Sequence, residues 1–110
     1  MADKRSLPAL THLQFLVLGV IRHDEQPGRV IRQTLAAYGV RRTAPAFYQL
    51  MSRLESSGLV SGRYEQVVVG DQAVTERRYR ITAEGSRMWA RAQDFYAEVG
   101  RLAAVRWSNA

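Results

Sequence analysis

The side chains with the widest chemical reach in this sequence are arginines. Of the 16 basic residues in 110, 15 are arginine. They gather at two places: Arg41-Arg42, just ahead of a stretch opening at Thr43, and Arg77, Arg78 and Arg80, with Arg63 on the segment before them. A guanidinium offers a planar fork of donors that matches phosphate oxygens and base edges. With a net charge of +6, the surplus favours an anionic partner, double-stranded DNA foremost; the alternative is plain solubility. Other chemistry is thinly supplied. There is no cysteine, His12 sits in an apolar stretch, His23 lies in a polar loop, and the carboxylates are scattered. No glycine-rich phosphate loop, HExxH or nucleophile motif occurs, so neither an enzyme nor a cofactor or metal is expected.

The elements that must position these arginines can be read from periodicity and caps. Ser6 can cap a helix starting at Leu7, with Pro8 tolerated in its first turn. Its apolar residues, Leu10, Leu13, Phe15, Leu16, Val17, Leu18, Val20 and Ile21, occupy most of the circumference, so it must be covered on more than one side. The run Leu7 to Ile21 is interrupted by Pro8, His12 and Gln14 and falls short of the roughly 20 residues needed to span a bilayer. It reads as a buried helix of a cytoplasmic protein rather than a signal or membrane segment.

Asp24 to Gly28 reads as a loop broken by Pro27-Gly28. A second helix over Arg29 to Tyr38 buries Val30, Ile31, Leu35 and Tyr38 and stops at Gly39. Thr43 caps a third helix, whose Phe47, Leu50, Met51 and Leu54 fall on one face and whose end is marked by Gly58-Leu59. Arg29 to Gly58 is thus a helix-turn-helix. Val60 to Val69 and Glu76 to Thr82 form a hairpin with a tip at Gly70 to Ala73. Thr82 caps a last helix from Ala83 to about Val105, with Met88, Ala92, Phe95, Val99 and Leu102 spaced as a heptad seam. The first five residues and the Ser108-Asn109-Ala110 tail are expected to be disordered. The fold class is mainly α with a small β-hairpin (α+β), a winged helix-turn-helix with a long C-terminal helix.

Three groups of residues could carry function. Thr43, Ala46, Tyr48, Gln49, Ser52 and Arg53 lie on or beside the face of the third helix opposite its apolar one. A helix anchored this way can enter a major groove, where Gln49 could pair with an adenine edge and Ser52 or Arg53 could reach a base or phosphate. Arg41 and Arg42 at its start would meet phosphate; the alternative is a solvated helix face. Arg77, Arg78 and Arg80, with Arg63 opposite, put charge on a projecting hairpin that could follow a backbone or enter a minor groove. Protection of an edge strand is the competing explanation. Leu10, Leu13, Val17 and the seam Met88, Ala92, Phe95, Val99 and Leu102 could build a homodimer, and Phe15, Trp89, Phe95 and Tyr96 could line a cavity for a flat aromatic effector; both groups could equally be plain core.

In this order of parts the chain resembles the PadR family of bacterial transcriptional regulators. The resemblance is carried by Tyr48-Gln49-Leu50-Met51-Ser52-Arg53-Leu54-Glu55 followed by Gly58-Leu59-Val60, and by Tyr79-Arg80-Ile81-Thr82-Ala83-Glu84-Gly85. It covers about Leu7 to Leu102. It implies a homodimeric repressor of the short subfamily, with residues 1–82 as the DNA-binding domain, residues 83–110 as a dimerisation helix, and in some members an aromatic effector. The chain departs from the family pattern in three places. Of a His-Gly-Tyr opening to the second helix, Gln26-Pro27-Gly28-Arg29-Val30 keeps only the glycine; Gln49 stands where proline is usual; Arg78 replaces a tyrosine. A competing class is a winged-helix module that uses the same surface to bind protein.

Overall fold

The structure, a computed structural model, describes residues 7–108, with side chains through residue 102. In chain order the elements are α1 (His12–Val20), β1 (Gln26–Pro27), α2 (Gly28–Ala37), α3 (Ala44–Ser56), β2 (Val60–Val69), β3 (Gln72–Ile81) and α4 (Ala83–Ser108). This is an α+β winged helix-turn-helix, with a sheet in the order β1-β3-β2 and both pairings antiparallel.

The first helix starts later than its apolar run suggests. Thr11 caps it: its hydroxyl accepts from the Gln14 N–H (3.1 Å), and the Gln14 side chain accepts from the Thr11 N–H (3.0 Å). This reciprocal capping box outcompetes a start at Leu7, which is instead 82% exposed. Ser6, and the disorder expected at residues 1–5 and 109–110, lie outside the described residues, whereas Ser108, expected in the disordered tail, is the last residue of α4.

The helix-turn-helix follows the expected punctuation. The Thr43 hydroxyl accepts from the Ala46 N–H at 3.3 Å. Gly58 has φ +76, and the Leu59 N–H reaches back to the Leu54 carbonyl at 3.0 Å, a Schellman closure that buries Leu59. At the end of α2, Tyr38 is 70% exposed rather than buried, because it falls just past the last helical residue.

Two β features correct the sequence reading. The stretch expected as a plain loop contains β1, in which Gln26 and Pro27 pair with Tyr79 and Arg78. The hairpin tip is also tighter: Val69 pairs with Gln72, leaving Gly70-Asp71 as a two-residue loop, and β3 begins four residues earlier than expected. Gly70 has φ +64 and no non-glycine residue among the described ones is positive, as in a type II′ turn.

Thr82 ties α4 to the end of α3, donating to the Gly58 carbonyl (2.7 Å) while accepting from the Gly85 N–H (3.0 Å). A Cβ at Gly85 would lie 2.1 Å from the Leu59 carbonyl oxygen, so only glycine permits this close docking. Val17, Leu18, Ile21, Ile31, Leu35, Phe47, Met51, Leu54, Tyr79 and Ala92 converge in one core fed by all four helices and β3. From it α4 extends for 26 residues, three beyond the expected end.

Candidate nucleic-acid interface

Phe47, Met51 and Leu54 hold α3 by a face with no solvent exposure. That leaves Gln49, Ser52 and Arg53 exposed on its outer surface, Tyr48 half-exposed on the flank, and Ala46 partly buried. Gly28 opens α2 close against Tyr48: a Cβ there would lie 3.2 Å from the Tyr48 ring and hydroxyl. Arg41 and Arg42 are exposed ahead of α3, and the Arg42 carbonyl accepts from Arg32 Nη2 at 3.1 Å. Together with Arg29 they line a cleft of about 310 Å³ floored by Leu35 and Phe47. Arg29 and Arg32 were not singled out by the sequence reading. Their signal was available in the three-residue spacing, which puts both on one side of α2.

The wing arginines stand in a different environment. Arg63 and Arg78 face each other across the β2–β3 ladder, as the alternation suggested. Arg63 grips Glu25 with two hydrogen bonds of 2.7 and 3.0 Å. Arg78 bonds Glu76 at 2.9 Å, and its Nε lies 3.4 and 3.6 Å from Glu65 and Glu25 without completing a hydrogen bond. Arg77 pairs with Glu55 at 2.5 Å while its guanidinium lies over the Tyr64 ring, 4.5 Å from the centroid. Arg80 is exposed and takes part in none of the ion pairs among the described residues.

The titration behaviour follows from these contacts. The Arg63 hydrogen bond holds the Glu25 carboxyl below the usual carboxylate range. Burial is the largest single influence on Arg77 and opposes its charge, but the hydrogen bond to Glu55 and the attraction of Glu55, Tyr64 and Tyr79 together exceed it and the pKa is raised. Burial pushes the Tyr79 phenol up to about 12. The positive charge therefore sits at the base of the hairpin, matched by carboxylates. Residues 66–75 at its tip carry one charged group, Asp71, with Val68 and Val69 well exposed. The partners Glu25, Glu55, Glu65 and Glu76 escaped the sequence reading, although Arg63/Glu65 and Glu76/Arg78 at i, i+2 share a strand face and were a readable signal.

Of the seam residues, Leu10, Val17 and Ala92 are buried in the chain's own core, and Leu13, Phe95 and Met88 are partly buried. Val99 and Leu102, further along α4, are 45% and 56% exposed. Phe15 stacks on Trp89 (5.5 Å between centroids) and touches Tyr96 (5.6 Å), which meets Phe95 edge-on (5.4 Å). Phe15 and Trp89 line an open groove of about 440 Å³ with Gly19, Val30, Thr34 and Tyr38; Phe95 and Tyr96 are not part of its wall.

No protein-family profile and no curated protein matches this chain. Among solved structures it is similar to a PadR family transcriptional regulator from Eggerthella lenta, at 32% identity over 83% of this chain and 80% of that one, with a TM-score of 0.61. A PadR-like transcription factor from Bacteroides fragilis shares the fold at 18% identity, over 84% and 86% of the two chains, with a TM-score of 0.68. So does Bacillus subtilis PadR, solved with operator DNA, at 17% identity and a TM-score of 0.58; the match covers 73% of this chain and 46% of that longer one. Fold and surface together define a winged helix-turn-helix regulator. The chain belongs to the PadR family of transcriptional regulators, which are not enzymes. Among the described residues no helix is long and apolar enough to cross a membrane.

Proposed function

We propose that the protein is a sequence-specific DNA-binding repressor that acts as a homodimer in the cytoplasm of a bacterium. The observation that carries this reading is the outer face of α3, where Gln49, Ser52 and Arg53 are presented on a helix locked from behind by three fully buried side chains. Each subunit places this helix in a major groove, with half-sites about one helical turn apart. Arg41, Arg42 and Thr43 approach the backbone at its start, Ala46 and Tyr48 border it, and the hairpin lies towards the flanking backbone or minor groove.

The dimer is supported by α4, whose apolar seam continues through Val99 and Leu102 after the chain's own core has ended. A second copy would cover it, with α1 and α4 forming the contact and residues 83–110 acting as the dimerisation element. The groove beside Phe15 and Trp89 suits a flat aromatic effector that releases the protein from DNA.

A gel-shift titration with duplexes from the chain's own upstream region and with scrambled duplexes tests the proposal. Wild type is expected to prefer the upstream fragment, and Gln49→Ala to change which base is preferred at one position per half-site. Equal retention of both duplexes by wild type would sink operator recognition. Retention of neither would favour a protein-binding module, a reading for which the exposed valines at the hairpin tip speak.

A further inference from the structure

We propose that the DNA backbone is gripped by the arginine cleft between α2 and the turn before α3, while the wing contributes little charge to binding. This rests on the DNA-binding reading above and assigns the phosphate contacts within it.

Four arginines, Arg29, Arg32, Arg41 and Arg42, line the cleft of about 310 Å³, over a floor set by the buried Leu35 and Phe47. Arg32 is held in place by its 3.1 Å bond to the Arg42 carbonyl. That bond uses one of five guanidinium donors, so a preorganised fork remains for a phosphate. Arg41 and Arg42 are exposed, and none of Arg32, Arg41 and Arg42 takes part in the ion pairs found among the described residues. Arg29 has one acidic neighbour, Glu76 at 3.5 Å, with its own side chain 66% exposed; a pair of that kind holds weakly. The cleft also adjoins the N-terminal end of α3, where the helix dipole favours an anion.

At the wing, three of the four arginines already hold a carboxylate. To reach a phosphate, each must exchange one anion for another, a trade that releases few counterions and adds little affinity. The hairpin tip offers no cation at all. Charge therefore faces phosphate mainly through the helix-turn-helix, and the wing is left to act through shape, Arg80 and its apolar tip.

The slope of log K against log salt, measured on the upstream duplex and on a scrambled one, tests this assignment. Arg32→Gln and Arg29→Gln are each expected to reduce the slope by about one and to weaken both duplexes several-fold. Arg63→Gln is expected to leave the slope unchanged. Thermal melting of each variant checks its fold; the Arg29 side chain makes no hydrogen bond to backbone among the described residues and keeps the test valid if Arg32→Gln disturbs the turn. Wild type binding with its slope kept in both cleft variants, or lost in Arg63→Gln, overturns the cleft alone. Wild type that retains no duplex at low salt overturns the DNA reading together with it. Inorganic tripolyphosphate raising the melting temperature of wild type but not of Arg32→Gln, while DNA slopes stay equal, would assign the cleft to a free phosphate ligand and overturn the backbone contact.

Discussion

The helix-turn-helix face and the wing are both rich in arginine, but they spend that charge differently. The arginines of α2, of α3 and of the turn between them enter one ion pair among the described residues, the loose Arg29–Glu76 contact, whereas at the hairpin base Arg63, Arg77 and Arg78 are tied to Glu25, Glu55, Glu65 and Glu76. The cause is geometric. A sheet aligns residues from distant segments, so Glu65 pairs with Glu76 next to the Arg63–Arg78 pair, and β1 brings Glu25 alongside. The turn between α2 and α3 aligns no such neighbours. An arginine count from this sequence thus overstates the free charge that the wing can offer and comes nearer to that of the turn.

The two regions also differ in what anchors them, and this contrast gives the largest expected effect. Phe47→Ala empties a fully buried site beneath α3 and should cost about 3–5 kcal/mol. Val68→Ala on the exposed hairpin should stay within about 0.5 kcal/mol. Urea denaturation of both variants measures the difference, and similar losses would mean that the hairpin is packed as firmly as the helix.

Tyr79 sharpens the comparison from the core side of the wing. Its raised pKa means that the folded state favours the neutral phenol. That contribution is complete below the ordinary tyrosine value of about 10 and is lost as pH rises towards about 12. Tyr79→Phe is expected to flatten the alkaline fall in stability between those limits; an unchanged alkaline limb in a pH series of thermal melts would contradict the burial argument.

The smallest effect concerns the carboxylates that occupy the wing. Glu25→Gln releases Arg63 from its closest partner and should strengthen binding to random duplex several-fold, with a steeper salt slope. No gain would place the hairpin base clear of the duplex. The same variant tests the acid limb of stability. Because the Glu25 pKa is lowered on folding, its contribution is present above the ordinary value of 4.5 and lost as pH falls through the depressed one. Glu25→Gln should make stability less sensitive to pH below that value.

Much of the helical architecture was readable in advance. Thr43, the i, i+3, i+4, i+7 run of Phe47, Leu50, Met51 and Leu54, and Gly58-Leu59 bracketed α3, which runs from Ala44 to Ser56. The start of α1 was missed because two capping sequences compete there and the Thr11–Gln14 box prevails. β1 was hidden because two residues ending in proline have no periodicity to read. The hairpin turn was drawn too long because Gln72 and Ala73 look like turn residues until they pair with Val69 and Val68.

Local order along the chain was enough to specify the α2–turn–α3 unit, the wing and the long terminal helix, since caps and helical periods are interactions between residues a few positions apart. The state of the arginines could not be read this way. Glu25 and Arg63 are 38 positions apart and Glu55 and Arg77 are 22 apart. Only the tertiary fold decides that those cations meet carboxylates, while Arg32, Arg41 and Arg42 are gathered at a cleft and enter no ion pair among the described residues.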